Sequence, residues 1–154
     1  MLDYTKNGFL RSLFMGEIRE NIIYPFPRMT EDEQELIAMI ADSIRKFRKE
    51  VNQEAIDKAE VIPSELLDKM KNLGLFGLMI PEKYEGMGLS VSGYARILEE
   101  LGVLGSAVGV TLGGHQSIGM KGLLLCGNDE QKARYLPQLA SGEMIAAFCL
   151  TEPN

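Results

Sequence analysis

Residues 106–125 read SAVGVTLGGHQSIGMKGLLL, a run of twenty positions with Lys121 as its only charge. A surface helix keeps a polar face, so a helix apolar nearly all round belongs in an interior. This run is therefore expected to be the central helix of a helical domain, ended by Gly127.

Working outward toward the C-terminus, Asn128-Asp129-Glu130-Gln131 has the form of a helix cap with a reciprocating residue at the third helical position. It should start a short helix through Tyr135 and Leu139, which Pro137 should limit or kink, because proline removes a backbone donor. Gly142 is its expected stop. From Met144 to Leu150 the pattern is β-compatible, with Ile145, Phe148 and Leu150 apolar. A lone strand has nothing to pair against, so the sequence is expected to continue into a further domain.

Toward the N-terminus, Ser90 should cap a helix through Tyr94, Ile97, Leu98 and Leu101. A helix opening at Pro63 carries Leu66, Leu67, Met70 and Leu73 and ends at Gly74. The apolar Leu75–Pro81 stretch reads as a loop, and Gly86 and Gly88 after it need permissive backbone. Thr30-Glu31-Asp32-Glu33 should form a capping box opening a helix through Leu36, Ile37, Ile40, Ile44 and Phe47 to about Val51. Its acids lie in the first turn and Arg45, Lys46, Arg48 and Lys49 in the last, which suits the helix dipole. Before it stands an arm. Phe9, Leu10, Leu13, Phe14 and Ile18 fit a short amphipathic helix, and Ile22-Ile23-Tyr24-Pro25-Phe26-Pro27 should be extended. A membrane-surface role for this arm is disfavoured by its short apolar face and few basic residues.

A formal net charge of −6 argues against a nucleic-acid partner, which requires clustered Lys and Arg. No uninterrupted apolar run approaches the roughly 20 residues that span a bilayer. No secretory signal or Arg-rich transit peptide opens the chain, so a cytoplasmic location is expected. Cys126 and Cys149 lack metal-ligand spacing and read as two reduced thiols.

No complete catalytic constellation is present. His115, the only histidine, has no partners for a triad or a metal site, and reads as a satisfied polar residue at an interface rather than a base. Gly109, Gly113, Gly114, Gly119 and Gly122 crowd one helix, although each interior glycine costs about 0.5–1 kcal/mol relative to alanine. Two explanations fit: close helix–helix approach, or a groove left open for a ligand chain. No phosphate-cradling glycine motif occurs.

Ala147-Phe148-Cys149-Leu150-Thr151-Glu152-Pro153 resembles the signature of the acyl-CoA dehydrogenase family. Leu73–Gly77, Ile80-Pro81-Glu82 and Gly86-Met87-Gly88 are similar to the loop after that family's second helix. Gly127-Asn128, Gln131-Lys132, Tyr135-Leu136-Pro137 and Leu139–Glu143 follow in the family's order. Tyr24–Pro27 and Thr111–Gly119 resemble the very-long-chain branch. Asn154 departs mildly, standing where many relatives carry Gly or another small residue.

The resemblance implies an all-α N-terminal helical bundle, with an arm at 1–28, the helical domain at 29–142, and the first strand of a middle β domain beginning at 143–154. It implies an enzyme that uses FAD to convert acyl-CoA to 2-enoyl-CoA in fatty-acid β-oxidation. Phe148, Leu150 and Thr151 would contact the flavin, Thr151 near its reactive edge. Gly109, Gly113 and Gly114 would deepen an acyl tunnel. The catalytic carboxylate would lie in a C-terminal bundle, so no catalytic or metal-binding residue is expected here, nor activity or bound flavin from these residues alone. An electron-transfer partner and homo-oligomerisation are further implications. An acyl-CoA oxidase and a stand-alone helical interaction module remain the alternatives.

Overall fold

A computed structural model describes residues 8–18, 20, 24–26 and 28–151. Eight α-helices appear among these residues, with no strand. They are α1 (Phe9–Phe14), α2 (Glu31–Phe47), α3 (Gln53–Ala59), α4 (Ser64–Asn72), α5 (Val91–Gly102), α6 (Ser106–Gly113), α7 (Met120–Cys126) and α8 (Asp129–Ser141). The extended reading of the arm at Ile22, Ile23 and Pro27, and the signature residues Glu152, Pro153 and Asn154, lie outside the described residues.

Local chemistry sets most helix starts. Thr30 accepts from the Glu33 amide, Ser90 from the Gly93 amide and Asn128 from the Gln131 amide. Only Asn128 heads a reciprocal box, because the Gln131 side chain accepts from the Asn128 amide at 2.9 Å. The box expected at Thr30 does not close. Glu33 Oε1 instead accepts from the Ser90 amide at 2.7 Å, joining the starts of α2 and α5. These two helices pack along their lengths. Arg45 also forks onto Glu100, holding that carboxyl below its ordinary range.

The core joins Ile37, Ile40 and Ile44 of α2 to Met70 of α4, Ile97 and Leu101 of α5, Val108 and Leu112 of α6, and Leu136 of α8. The Leu75–Ile80 stretch belongs to it as well. Leu75, Phe76, Leu78 and Ile80 are fully buried, and the chain returns beside them through Leu89 N–H to Leu78 O at 2.8 Å and Met87 N–H to Gly77 O at 2.9 Å. Gly86 is required at this return, since a Cβ there would stand 2.0 Å from Ile80 O.

Three expectations are corrected. Helix α3 was passed over. It buries only Ile56, so it shows no periodicity, and it is held from outside by Gln53 Nε2–H donating to Val103 O at 2.8 Å. The expected central helix is continuous but not uniform, because residues Gly114–Gly119 widen into a π turn between α6 and α7. Nor is it buried all round: Val110 is 72% and Ile118 56% exposed. Pro137 does not limit α8, which runs on to Ser141 and stops, as expected, at left-handed Gly142. Ala133, whose carbonyl the proline deprives of a partner, lies on the exposed side where water can serve it. The expectation for the terminal run stands: with nothing to pair against, residues 145–151 form no ladder among the described residues.

Candidate functional site between the π turn and the terminal run

An α-helix turns consecutive side chains well apart, and the wider π turn brings neighbours closer to one face. Here it sends both His115 and Gln116 into the interior, where they are 1% and 0% exposed. Gln116 Nε2–H donates to Leu75 O at 2.7 Å, and its Oε1 accepts from the Met79 amide at 3.1 Å. His115 Nε2 meets Phe76 O at 3.1 Å, and Nδ1 meets the Ala146 amide at 3.0 Å. A carbonyl can only accept and an amide can only donate. The ring is therefore the neutral tautomer protonated at Nε2. Burial pushes the His115 pKa below its ordinary value, with the hydrogen bond to Phe76 opposing.

The terminal run is thereby drawn across the π turn. At Gly119 a Cβ would stand 2.6 Å from Ala146 Cβ and 2.8 Å from Ala146 O, so this glycine exists for close approach. Gly109, Gly113, Gly114 and Gly122 differ, because a Cβ at any of them would meet nothing within 4 Å. Close approach thus accounts for Gly119, although its neighbour is the terminal run and not a second helix, while Gly109, Gly113, Gly114 and Gly122 face open space.

Between the run and the turn lies an open groove of about 290 Å³, lined by Val110, Thr111, Gly114, Ile118, Ile145 and Phe148, with His115 at its floor. Of the expected site residues, Gly114 and Phe148 share this groove. Gly109 and Gly113 do not line it, and Leu150 and Thr151 lie exposed beyond its end. The backbone groups of Ala147 to Thr151 make no hydrogen bond among the described residues. Among the described residues no carboxylate lines the groove, and both nitrogens of His115 are engaged. Among the described residues no cluster of His, Cys, Asp and Glu could hold a metal.

A hollow of about 350 Å³ near the ends of α2, α3 and α4 is larger. It is lined by Phe47, Ile56 and Leu66 and bordered by the Lys69–Glu50 ion pair. It contains none of the expected site residues, and is a packing gap beside a short, weakly buried helix. The sequence reading missed Gln116 and Ala146. Gln116 had a signal, since it extends His115 into a polar pair inside an otherwise apolar helix; Ala146 had none.

Residues 30–143 match the family model described as acyl-CoA dehydrogenase, N-terminal domain. A very long-chain specific acyl-CoA dehydrogenase, mitochondrial, from Macaca fascicularis is 44% identical over 149 residues, covering 96% of this chain and 23% of that protein. The chain thus spans under a quarter of the length of the curated relatives it matches. An acyl-CoA dehydrogenase from Bacillus anthracis, solved with FAD, superposes with a TM-score of 0.65 at 33% identity, over 89% of this chain and 23% of that one. Butyryl-CoA dehydrogenase from Megasphaera elsdenii superposes with a TM-score of 0.70 at 30% identity, over 83% and 34%.

Proposed function

The chain belongs to the acyl-CoA dehydrogenase family, and on that premise we propose that it is the N-terminal helical wall of an FAD-dependent enzyme oxidising long-chain acyl-CoA to 2-enoyl-CoA. The observation that carries this reading is the groove joining Phe148 to the π turn, beside an extended run with unspent backbone groups.

The residues fit a flavin. Phe148 is 62% and Leu150 78% exposed, an apolar edge open to a flat ring. The free amides and carbonyls from Ala147 to Thr151 suit an aromatic edge that alternates donors and acceptors. Flavin, when bound, supplies the two-electron acceptor for a hydride from the acyl β-carbon. This chain's share is to orient and to exclude water. Phe148 and Leu150 would give the ring a dry edge, and the Thr151 hydroxyl would be its donor there. The α-proton would go to a carboxylate that the described residues of the groove do not supply, so these residues alone should neither turn over acyl-CoA nor retain flavin.

Long chains are the favoured substrates on two supports. Relatives 44% and 42% identical to this chain are named for very long chains, and Gly109, Gly113 and Gly114 leave their face of α6 and the π turn unfilled. Each methylene given room to bury contributes about 0.8 kcal/mol.

The test uses the polypeptide encoded by the complete reading frame. It should purify yellow and reduce an artificial acceptor with long-chain acyl-CoA, while the 154-residue chain is colourless and inactive. Phe148→Ala should lower the flavin content of the full polypeptide. A full polypeptide without flavin, or with flavin but indifferent to acyl-CoA, defeats the proposal.

A further inference from the structure

Three segments distant in sequence meet at one ring. His115 sits on the π turn, Phe76 on the buried return after α4, and Ala146 on the run that leads to Phe148. The Phe76 ring also stands edge-on to the imidazole, with centroids 5.3 Å apart. Among the described residues, the Ala146 amide is the only backbone donor of Ile145–Thr151 that finds a partner. One residue separates it from Phe148. Past Met144, whose amide donates to Gln138 O, the run's one backbone hydrogen bond goes to Nδ1 of His115, with Gly119 making the space that lets Ala146 approach.

We propose that His115 is a positioning residue: its neutral ring bridges Phe76 O and the Ala146 amide and so holds Phe148 and Leu150 in register along the groove. The role in flavin contact rests on the function proposed above; the bridge itself does not. Nothing in this role asks the ring to exchange a proton with substrate. It acts through the run it holds.

Asparagine and glutamine separate the two halves of the bridge. The Asn amide reaches where Nδ1 stands, so His115→Asn keeps an acceptor for Ala146 and loses the donor to Phe76. The longer Gln reaches where Nε2 stands, so His115→Gln keeps that donor and loses the acceptor. Amide hydrogen exchange on the 154-residue chain reads the outcome. His115→Gln should speed exchange at Ala146 roughly tenfold, the loss of one hydrogen bond, and move the Leu150 methyl resonances. His115→Asn should restore both toward wild type. Leu112, deep in the core, serves as the reference for general loosening. Equal acceleration at Ala146 in the two variants, after correction by Leu112, would overturn the proposal. Nitrogen spectra of the wild-type ring add a measurement that needs no variant. They should show the proton on Nε2, and a proton on Nδ1 would be fatal, because that atom could not accept from Ala146. Flavin plays no part in these readouts. If the full polypeptide fails to bind flavin while Ala146 behaves as stated, the bridge survives and the functional reading falls.

Discussion

Glycine at one residue and glycine at another, ten positions apart in the same helical segment, answer to opposite physics. At Gly109 the backbone is helical and an added methyl meets nothing within 4 Å. Gly109→Ala should raise stability by about 0.5–1 kcal/mol, by removing the glycine's conformational freedom in the unfolded chain. At Gly119 the same methyl strikes Ala146 at 2.6 Å. Gly119→Ala should lower stability by about 1–3 kcal/mol through overpacking, and should loosen the Ala146 amide as well. Urea denaturation of the two variants should therefore move the midpoint in opposite directions. His115 adds a pH dependence at the same scale. Its pKa in the folded protein is held down by burial, and the contacts that reach it, from Phe76, Leu139 and Ala146, are uncharged. The unfolded chain then binds the proton more readily than the folded one. Stability is complete above the ordinary histidine value of 6.5, and falls as the pH drops below it toward the folded pKa. Wild type should lose urea resistance over that window more steeply than His115→Gln, and parallel curves would show that the ring carries no such linkage.

At the scale of elements, the helix starts show what a sequence can and cannot disclose. Asn128 and Gln131 are three residues apart, and their box closes within the chain segment that encodes it. Asn128→Ala should cost about 1 kcal/mol, measured by the same denaturation, with α8 fraying first under hydrogen exchange. Thr30 and Glu33 have the same spacing and chemistry, yet the Glu33 carboxylate is taken by the Ser90 amide, fifty-seven residues away. Local pattern proposes the bond, and tertiary contact reassigns it. The same division separates what was legible from what was not. Helices α2, α4, α5 and α8 announced themselves through caps and apolar spacing, because each buries a stripe. Helix α3 buries Ile56 alone and carries no stripe to read. The π turn left only a hint, the polar pair His115-Gln116 between glycines, since π geometry has no propensity signature and is maintained by partners at Leu75, Phe76, Met79 and Ala146. Of the candidate site, Gly114 and Phe148 were legible through family resemblance. Their meeting in one groove depends on the Ala146 contact, which local spacing does not encode.

Across the whole molecule, apolar surface is distributed unevenly. The core from α2 to α8 is closed, while Val110, Ile118, Ile145 and Phe148 stay open around one groove, with Leu150 exposed beyond its end. A contiguous apolar face of a few hundred Å² is uncommon on a monomer that has no partner for it. In the proposed enzyme, flavin and acyl chain take that face. Without them a second copy of the chain is the available cover. Covering that face returns about 25 cal/mol for each Å² of apolar surface buried. Association costs of about 4–15 kcal/mol consume most of that. The chain should therefore associate weakly and reversibly rather than form a tight dimer. Sedimentation velocity of the 154-residue chain should show a coefficient that rises with concentration. Val110→Glu combined with Phe148→Glu should flatten that rise while leaving the thermal midpoint close to wild type, because both side chains are already exposed. A wild-type coefficient constant across the range would mean that water alone suffices for this face, and that its apolar character does not call for a cover.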